Sequence, residues 1–261
     1  MRALFCLAFT MALAACATQT PPASPQADVT LHHLRGPLYV AEDRAFVKEN
    51  SMVYVGATEV TVIGATWTPD TAAQLHRAIR EVTPLPVTEV ILTNHHPDRA
   101  GGTGYWQRAG ARVLATQQIA ELLHVRWPAL MQSLRASFRD YPAIPSVTPD
   151  DVRPGNFSTQ SGRVQAMYLG RSHTADGLFV YFPEERTLYG GCILKESLGN
   201  LDDADLDAYP ATLARLDTLT PPIRTIVSGH GSPVHGKDLI AHYLALLRAH
   251  ATQARPASTR P

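Results

Sequence analysis

Val87-Thr88-Glu89-Val90-Ile91-Leu92 runs without a break into Thr93-Asn94-His95-His96-Pro97-Asp98-Arg99-Ala100-Gly101-Gly102. The first six residues are mostly apolar and β-branched and read as a strand. The next ten are polar, then small, and read as a loop. Open α/β sheets place their sites in crevices at the carboxyl ends of strands, where this cluster falls. His96 and Asp98 flank Pro97, a spacing that on an extended loop aims two donors at one region. Imidazole and carboxylate both suit zinc. By itself the cluster equally describes a solvated His-rich loop, so the surrounding chain has to decide.

Outward from this segment, short apolar runs recur at Ser51–Val55, Val60–Ala65, Val113–Thr116, Val164–Leu169, Leu178–Phe182, Thr187–Gly190 and Thr225–Ser228. They read as strands, several of them buried on both faces. Helical patterns lie between some of them. Thr68-Pro69-Asp70 opens one, with an N-cap, a proline in the first turn and an acid beside it. Leu75 and Ile79 then share a face. Tyr209–Leu219 and Lys237–Ala249 read as helices, and residues 117–135 as a helix that Pro128 interrupts. No 20–50-residue period repeats, which excludes a solenoid. Intermixed strands and helices predict a single α/β domain over residues 29–252, with 253–261 a flexible tail.

Three further residues strengthen the metal reading. His173 sits in the polar turn Gly170-Arg171-Ser172-His173-Thr174-Ala175-Asp176-Gly177. Cys192 directly follows a strand in Tyr189-Gly190-Gly191-Cys192. His230 follows another in Ser228-Gly229-His230-Gly231-Ser232. Each is a donor at a strand edge, and the flanking glycines permit tight turns. A turn histidine, an inert buried cysteine and a loop histidine each have ordinary explanations, but five donors in the same setting do not.

The composition of the 261 residues is that of a globular protein, 45% hydrophobic and 18% charged, with 23 basic against 23 acidic residues. Zero formal net charge leaves no bulk footprint for nucleic acid. No apolar run reaches ~18 residues, the length a membrane span needs. The N-terminus instead reads as an address. Arg2 precedes the apolar stretch Ala3–Ala15, which ends in Leu13-Ala14-Ala15-Cys16. Small residues before a cysteine resemble the lipobox of bacterial lipoproteins, so residues 1–15 read as a signal peptide and Cys16 as the lipidated new N-terminus. An ordinary cleaved secretory signal is the alternative. Residues 16–28 read as a Pro-rich tether on the periplasmic side of a membrane, the outer one favoured because Ala17 follows the cysteine. Removing the signal removes Cys6, and acylation consumes Cys16, leaving Cys192 as the lone thiol and excluding a disulfide scaffold.

The order Asn94-x-His96-x-Asp98, His173, Cys192, His230 resembles the metallo-β-lactamases. So do ENSMVYVGATEVTVIGATWTPDT (49–71), DRAGG (98–102), GLFVYFPEERTLYGGCILKESLGNL (177–201), DAYPATLARL (207–216) and GHGSPVHGKDLIAHY (229–243). The resemblance spans about Gly36 to Leu247. It implies an αβ/βα sandwich with a zinc cleft along one edge. Within that family a histidine usually stands at the first motif position. Asn94 there resembles the mono-zinc subclass selective for carbapenems. A carboxamide is a far poorer zinc ligand than imidazole, which leaves Asp98, Cys192 and His230 as the working Zn2+ site. His96 and His173 form a weak second site, possession of which would be inhibitory.

The resemblance further implies catalytic roles for His96, Asp98, His173 and Asn94, with His96 deprotonating the attacking water and Asp98 the rival base. Lys195 would pair with the substrate carboxylate and Asn200 would bond near the lactam carbonyl. Trp67 would wall the cleft, and Arg99 would support the ligands rather than touch substrate. His95, next to His96 in an extended segment, would point the other way. Pro97, His95 and Asp203 depart from the mono-zinc pattern. The expected substrate is a carbapenem and the expected state a monomer, membrane-attached only through its lipid. A broad-spectrum di-zinc β-lactamase, a hydrolase of another ester, thioester or lactone, and a non-catalytic zinc-binding protein are the rival readings.

Overall fold

The computed structural model describes residues 28–254. The signal peptide (1–15), Cys16, nearly all of the tether and the tail beyond residue 254 lie outside the described residues. Seven strands follow chain order in the first sheet: β1 (Val29–Arg35), β2 (Leu38–Asp43), β3 (Glu49–Val55), β4 (Val60–Ile63), β5 (Val87–Ile91), β6 (Arg112–Thr116) and β7 (Asp151–Arg153). The first four form an antiparallel meander. From β4 to β7 the pairing is parallel. The crossovers carry α1 (Pro69–Val82), α2 (Pro97–Ala100), α3 (Thr103–Arg108) and α4 (Gln117–Ser137). The second sheet contains β8 (Phe157–Thr159), β9 (Val164–Met167), β10 (Phe179–Phe182), β11 (Thr187–Gly191), β12 (Thr225–Ser228) and β13 (Val234–Gly236), in the spatial order 13-12-11-10-9-8. Helix α5 (Tyr209–Ala214) joins the parallel pair β11 and β12, and α6 (Asp238–Ala254) follows β13.

Strand β10 shows how the layers close. Successive side chains alternate faces. Val180 and Phe182 enter the core shared with the first sheet, and Phe182 stacks on Tyr54. Phe179 and Tyr181 enter a second core with Leu213, Leu239 and Tyr243 from α5 and α6. Each such buried side chain contributes about 1.5–3 kcal/mol. With Leu75, Trp106 and Ile119 of α1, α3 and α4 buried in the first core, this is the αβ/βα sandwich expected.

All eight expected strands are present with small shifts at their ends. The structure adds β1, β2, β7, β8 and β13, and folds the segment after His96 into α2 and α3. It also corrects the helix over residues 117–135. Pro128 does not interrupt α4, which continues to Ser137. The buried stripe Ile119, Leu123, Trp127 and Met131 runs through the proline at four-residue steps, and Trp127 Nε1 donates to the Ile144 carbonyl at 3.0 Å. Packing on both sides of the proline outweighs the lost backbone bond, a cost of about 3 kcal/mol. At the other end of the chain α6 runs on to Ala254, past the expected end at Ala249.

The parallel pairings put the carboxyl ends of β5, β11 and β12 on one edge. The two sheets are stitched there by one main-chain bond and one side-chain bond, both from Asn50. Asn50 N of β3 donates to the Gly229 carbonyl at 2.8 Å, and Asn50 Nδ2 donates to the Ser228 carbonyl at 2.9 Å. Gly101 and Gly102 let the loop after β5 settle close. A Cβ on either would lie 1.9 or 2.0 Å from the carbonyl of Trp67 or Ala65.

Candidate metal centre

Asp98 projects from α2, Cys192 follows β11 and His230 follows β12. Asp98 Oδ2 lies 3.2 Å from His230 Nε2 and 3.3 Å from Cys192 Sγ, which is 3.7 Å from His230 Nε2. His230 Nδ1 lies 2.9 Å from the Lys48 carbonyl, a group that can only accept. Nδ1 therefore carries a hydrogen, and Nε2 is the ring nitrogen that faces the cluster.

Arg99 lies directly beneath and is fully buried. Its Nε is 3.2 Å from both Cys192 Sγ and Asp98 Oδ2. Its terminal nitrogens donate to Glu49, to Tyr189 Oη at 2.7 Å and to the Asn50 and Gly229 carbonyls at 2.9 and 2.8 Å. Burial opposes ionisation of Cys192, but the guanidinium outweighs it and holds the thiol well below its ordinary value. Burial likewise acts against charge on Asp98, which Arg99 and His230 hold well below the usual carboxylate range. Burial favours neutral His230, yet Asp98 and Cys192 push it up to about 10. Two anionic donors and an imidazole thus converge over a fixed cation. These residues fit a zinc ion, and a three-donor set leaves a position open, as catalytic zinc sites do.

The other expected residues are distributed around this cluster. Asn94 is buried and its Oδ1 accepts from the His96 backbone N–H at 2.9 Å, shaping the loop. His96 turns its ring edge toward His173, centroids 5.4 Å apart. Burial, with Lys195 and His96 nearby, holds His173 well below the ordinary imidazole range. His173 joins neither three-donor group found among the described residues, so the pair His96 and His173 gains no third ligand. Lys195 is buried, and its Nζ donates to the Cys192 carbonyl at 2.8 Å. Asn200 Nδ2 donates to Asp202 Oδ2 at 3.2 Å, and Trp67 Nε1 donates to the Val47 carbonyl at 2.9 Å. Trp67, His96, Asp98, Lys195, Asn200 and His230 all line one cleft of about 630 Å³.

Two features differ from the sequence reading. His95 does not turn away from His96: their ring centroids are 4.7 Å apart. The loop bends into α2 immediately afterwards, so the alternation of an extended strand does not apply. Asp203, in sequence only a departure from the mono-zinc pattern, is paired through both carboxylate oxygens. Its Oδ2 lies 3.0 Å from His96 Nε2, and its Oδ1 accepts from Arg126 Nη2 at 2.6 Å. Burial disfavours the His96 cation, but Asp203 and Cys192 push the group up to about 10. Neither Arg126, on the exposed face of α4, nor Asp176, bonded to His95, was singled out from sequence. Asp176 stands in the quoted turn around His173, the one available hint.

A carboxylate, a thiolate and an imidazole held at strand ends define a catalytic type of metal site. The family model described as the metallo-beta-lactamase superfamily matches residues 44–230. A Bacteroides fragilis protein named metallo-beta-lactamase type 2 is 31% identical over 77% of this chain and 76% of its own. A Bacillus cereus protein of the same name is 27% identical over 77% of this chain and 74% of its own. Among solved structures, VMB-1 aligns with TM-score 0.74 at 24% identity, covering 87% of this chain and 100% of that one. TMB-1 aligns with TM-score 0.73 at 20% identity, covering 85% and 98%. The chain belongs to the metallo-β-lactamase superfamily.

Proposed function

We propose that this protein hydrolyses the amide bond of β-lactam antibiotics, with carbapenems preferred and one zinc held by Asp98, Cys192 and His230. The observation that carries this reading is the convergence of those three donors over buried Arg99, while Asn94 at the first motif position is committed to the backbone N–H of His96. Zinc bound by the three donors supplies Lewis-acid stabilisation of the negative charge that develops on the departing lactam nitrogen.

The chain's own groups do the rest. Lys195 stands in the cleft as the cation for the substrate carboxylate, and Asn200 offers a carboxamide near the lactam carbonyl. Trp67 walls the apolar side. His96 takes the proton of the attacking water at Nε2. In this structure that atom faces Asp203 and is pushed toward its protonated form, so His96 must leave Asp203 and shed that proton before it serves as base. His173, kept neutral, lines the same side. By its N-terminal sequence the enzyme works on the periplasmic side of a membrane, anchored through lipidated Cys16, with the outer membrane favoured.

The test compares substrates at one zinc equivalent. Imipenem turnover with little benzylpenicillin turnover supports the reading. Equal turnover of both supports a broad-spectrum enzyme. Hydrolysis of thioesters or lactones with neither antibiotic cleaved overturns it.

A further inference from the structure

His95, His96 and Asp203 form a second convergent donor group outside the Asp98–Cys192–His230 cluster. One ring nitrogen of each histidine and one carboxylate oxygen of Asp203 lie within 4.8 Å of one another. His95 is 2% exposed, and its Nε2 is buried with no hydrogen-bond partner. Its Nδ1 lies 3.0 Å from Asp176 Oδ2, which also accepts the His95 backbone N–H at 2.9 Å. A carboxylate accepts, so Nδ1 carries the hydrogen and the orphaned Nε2 keeps a lone pair. This carboxylate–imidazole relay fixes the tautomer and ring of metal-bound histidines. His96 Nε2 and Asp203 Oδ2 are already 3.0 Å apart. Two donors on one tetrahedral zinc, each at about 2.0–2.2 Å, stand roughly 3.3–3.5 Å from each other. Arg126 grips the other carboxylate oxygen and orients Oδ2 inward.

We propose that His95 Nε2, His96 Nε2 and Asp203 form a second divalent-metal site at the cleft, taking zinc or cobalt through nitrogen and oxygen donors only. It replaces the pair His96 and His173 that the family resemblance implies, and it uses His95 where Asn94 cannot ligate. The site stands independently of the substrate assigned above. If His96 is the base, occupation takes the lone pair it needs, and the second equivalent slows turnover.

The test is cobalt binding to the metal-depleted full chain, read by absorption and equilibrium dialysis. The first equivalent builds a thiolate-to-cobalt charge-transfer band from Cys192. The second equivalent adds ligand-field absorption without further thiolate band. In Asp203→Asn and in His95→Gln the second equivalent weakens by more than the ~10–100-fold that loss of a supporting group costs. In His173→Ala it is unchanged. Asp203 is partly exposed, so its variant keeps the test decisive should His95→Gln fail to fold. A wild-type chain that binds one cobalt only overturns the proposal. So does a second equivalent that survives Asp203→Asn but is lost in His173→Ala.

Discussion

Asp98, Cys192 and His230 stand at the ends of β-strands and a helix over a buried guanidinium, whereas His95, His96 and Asp203 converge only because a long loop returns to the cleft. In the first cluster the charges are set by the protein: Arg99 compensates two anionic donors, and the Lys48 carbonyl fixes the His230 tautomer. In the second, Asp203 is contributed by the segment between β11 and α5, with its carboxylate shared between His96 and partly exposed Arg126. Buried counter-charge supports the first group from directly beneath, whereas the second draws its carboxylate from a residue 107 positions away in sequence.

The sharpest way to break the contrast is to remove its cation. Arg99→Met removes the buried guanidinium that faces Glu49, Asp98 and Cys192 together. Deleting one partner of such a network costs about 3–5 kcal/mol. Urea unfolding of the metal-depleted protein measures the loss. Asp203→Asn, tested in the same way, changes stability far less because its pairs are partly exposed. The second test separates metal holding from proton transfer. His96→Ala lowers kcat for imipenem about 10²–10⁴-fold, the range for loss of a general base. Its affinity for the first zinc stays as in the unsubstituted chain. If affinity and kcat fall together, His96 is a ligand of the working metal.

Protonation sharpens the same comparison. Cys192 and Asp98 are held ionised by Arg99 against burial, so a metal finds them ready. His230, pushed up to about 10, carries a proton at neutral pH that zinc must displace. The first zinc therefore releases close to one proton at pH 7.5, and its apparent affinity rises with pH until His230 is neutral. Calorimetry in two buffers of different ionisation enthalpy reads the number. The smallest effect lies away from the cleft. Thr68→Ala removes the cap that accepts from Thr71 N at 3.1 Å and costs about 1 kcal/mol, with zinc affinity unchanged.

The sandwich and its strongest donors are legible because each donor comes soon after a buried apolar strand, with glycines flanking it in the same segment. Val87–Leu92 marked its strand plainly, and the DRAGG glycines fit a close approach that admits no Cβ. Strands β7, β8 and β13 are not legible because three half-buried or exposed residues are too few to carry a period. β1 was missed because its His32 and His33 pair breaks the alternation. Pro128 misled because its penalty is local, while the stripe from Ile119 to Met131 that overrides it is tertiary. Asp203 shows in sequence only as a departure from the mono-zinc pattern, because its contact with His96 spans 107 residues, and Arg126 gives no signal at all. Strand alternation predicts the wrong side for His95 because the chain turns into α2 directly after His96.

The central claim is that one zinc in the Asp98–Cys192–His230 site does the work. The direct measurement is the initial rate of imipenem hydrolysis by metal-depleted protein across a zinc titration. The expected rate peaks near one equivalent and falls as zinc is added beyond it. A rate that keeps climbing to two equivalents would contradict it.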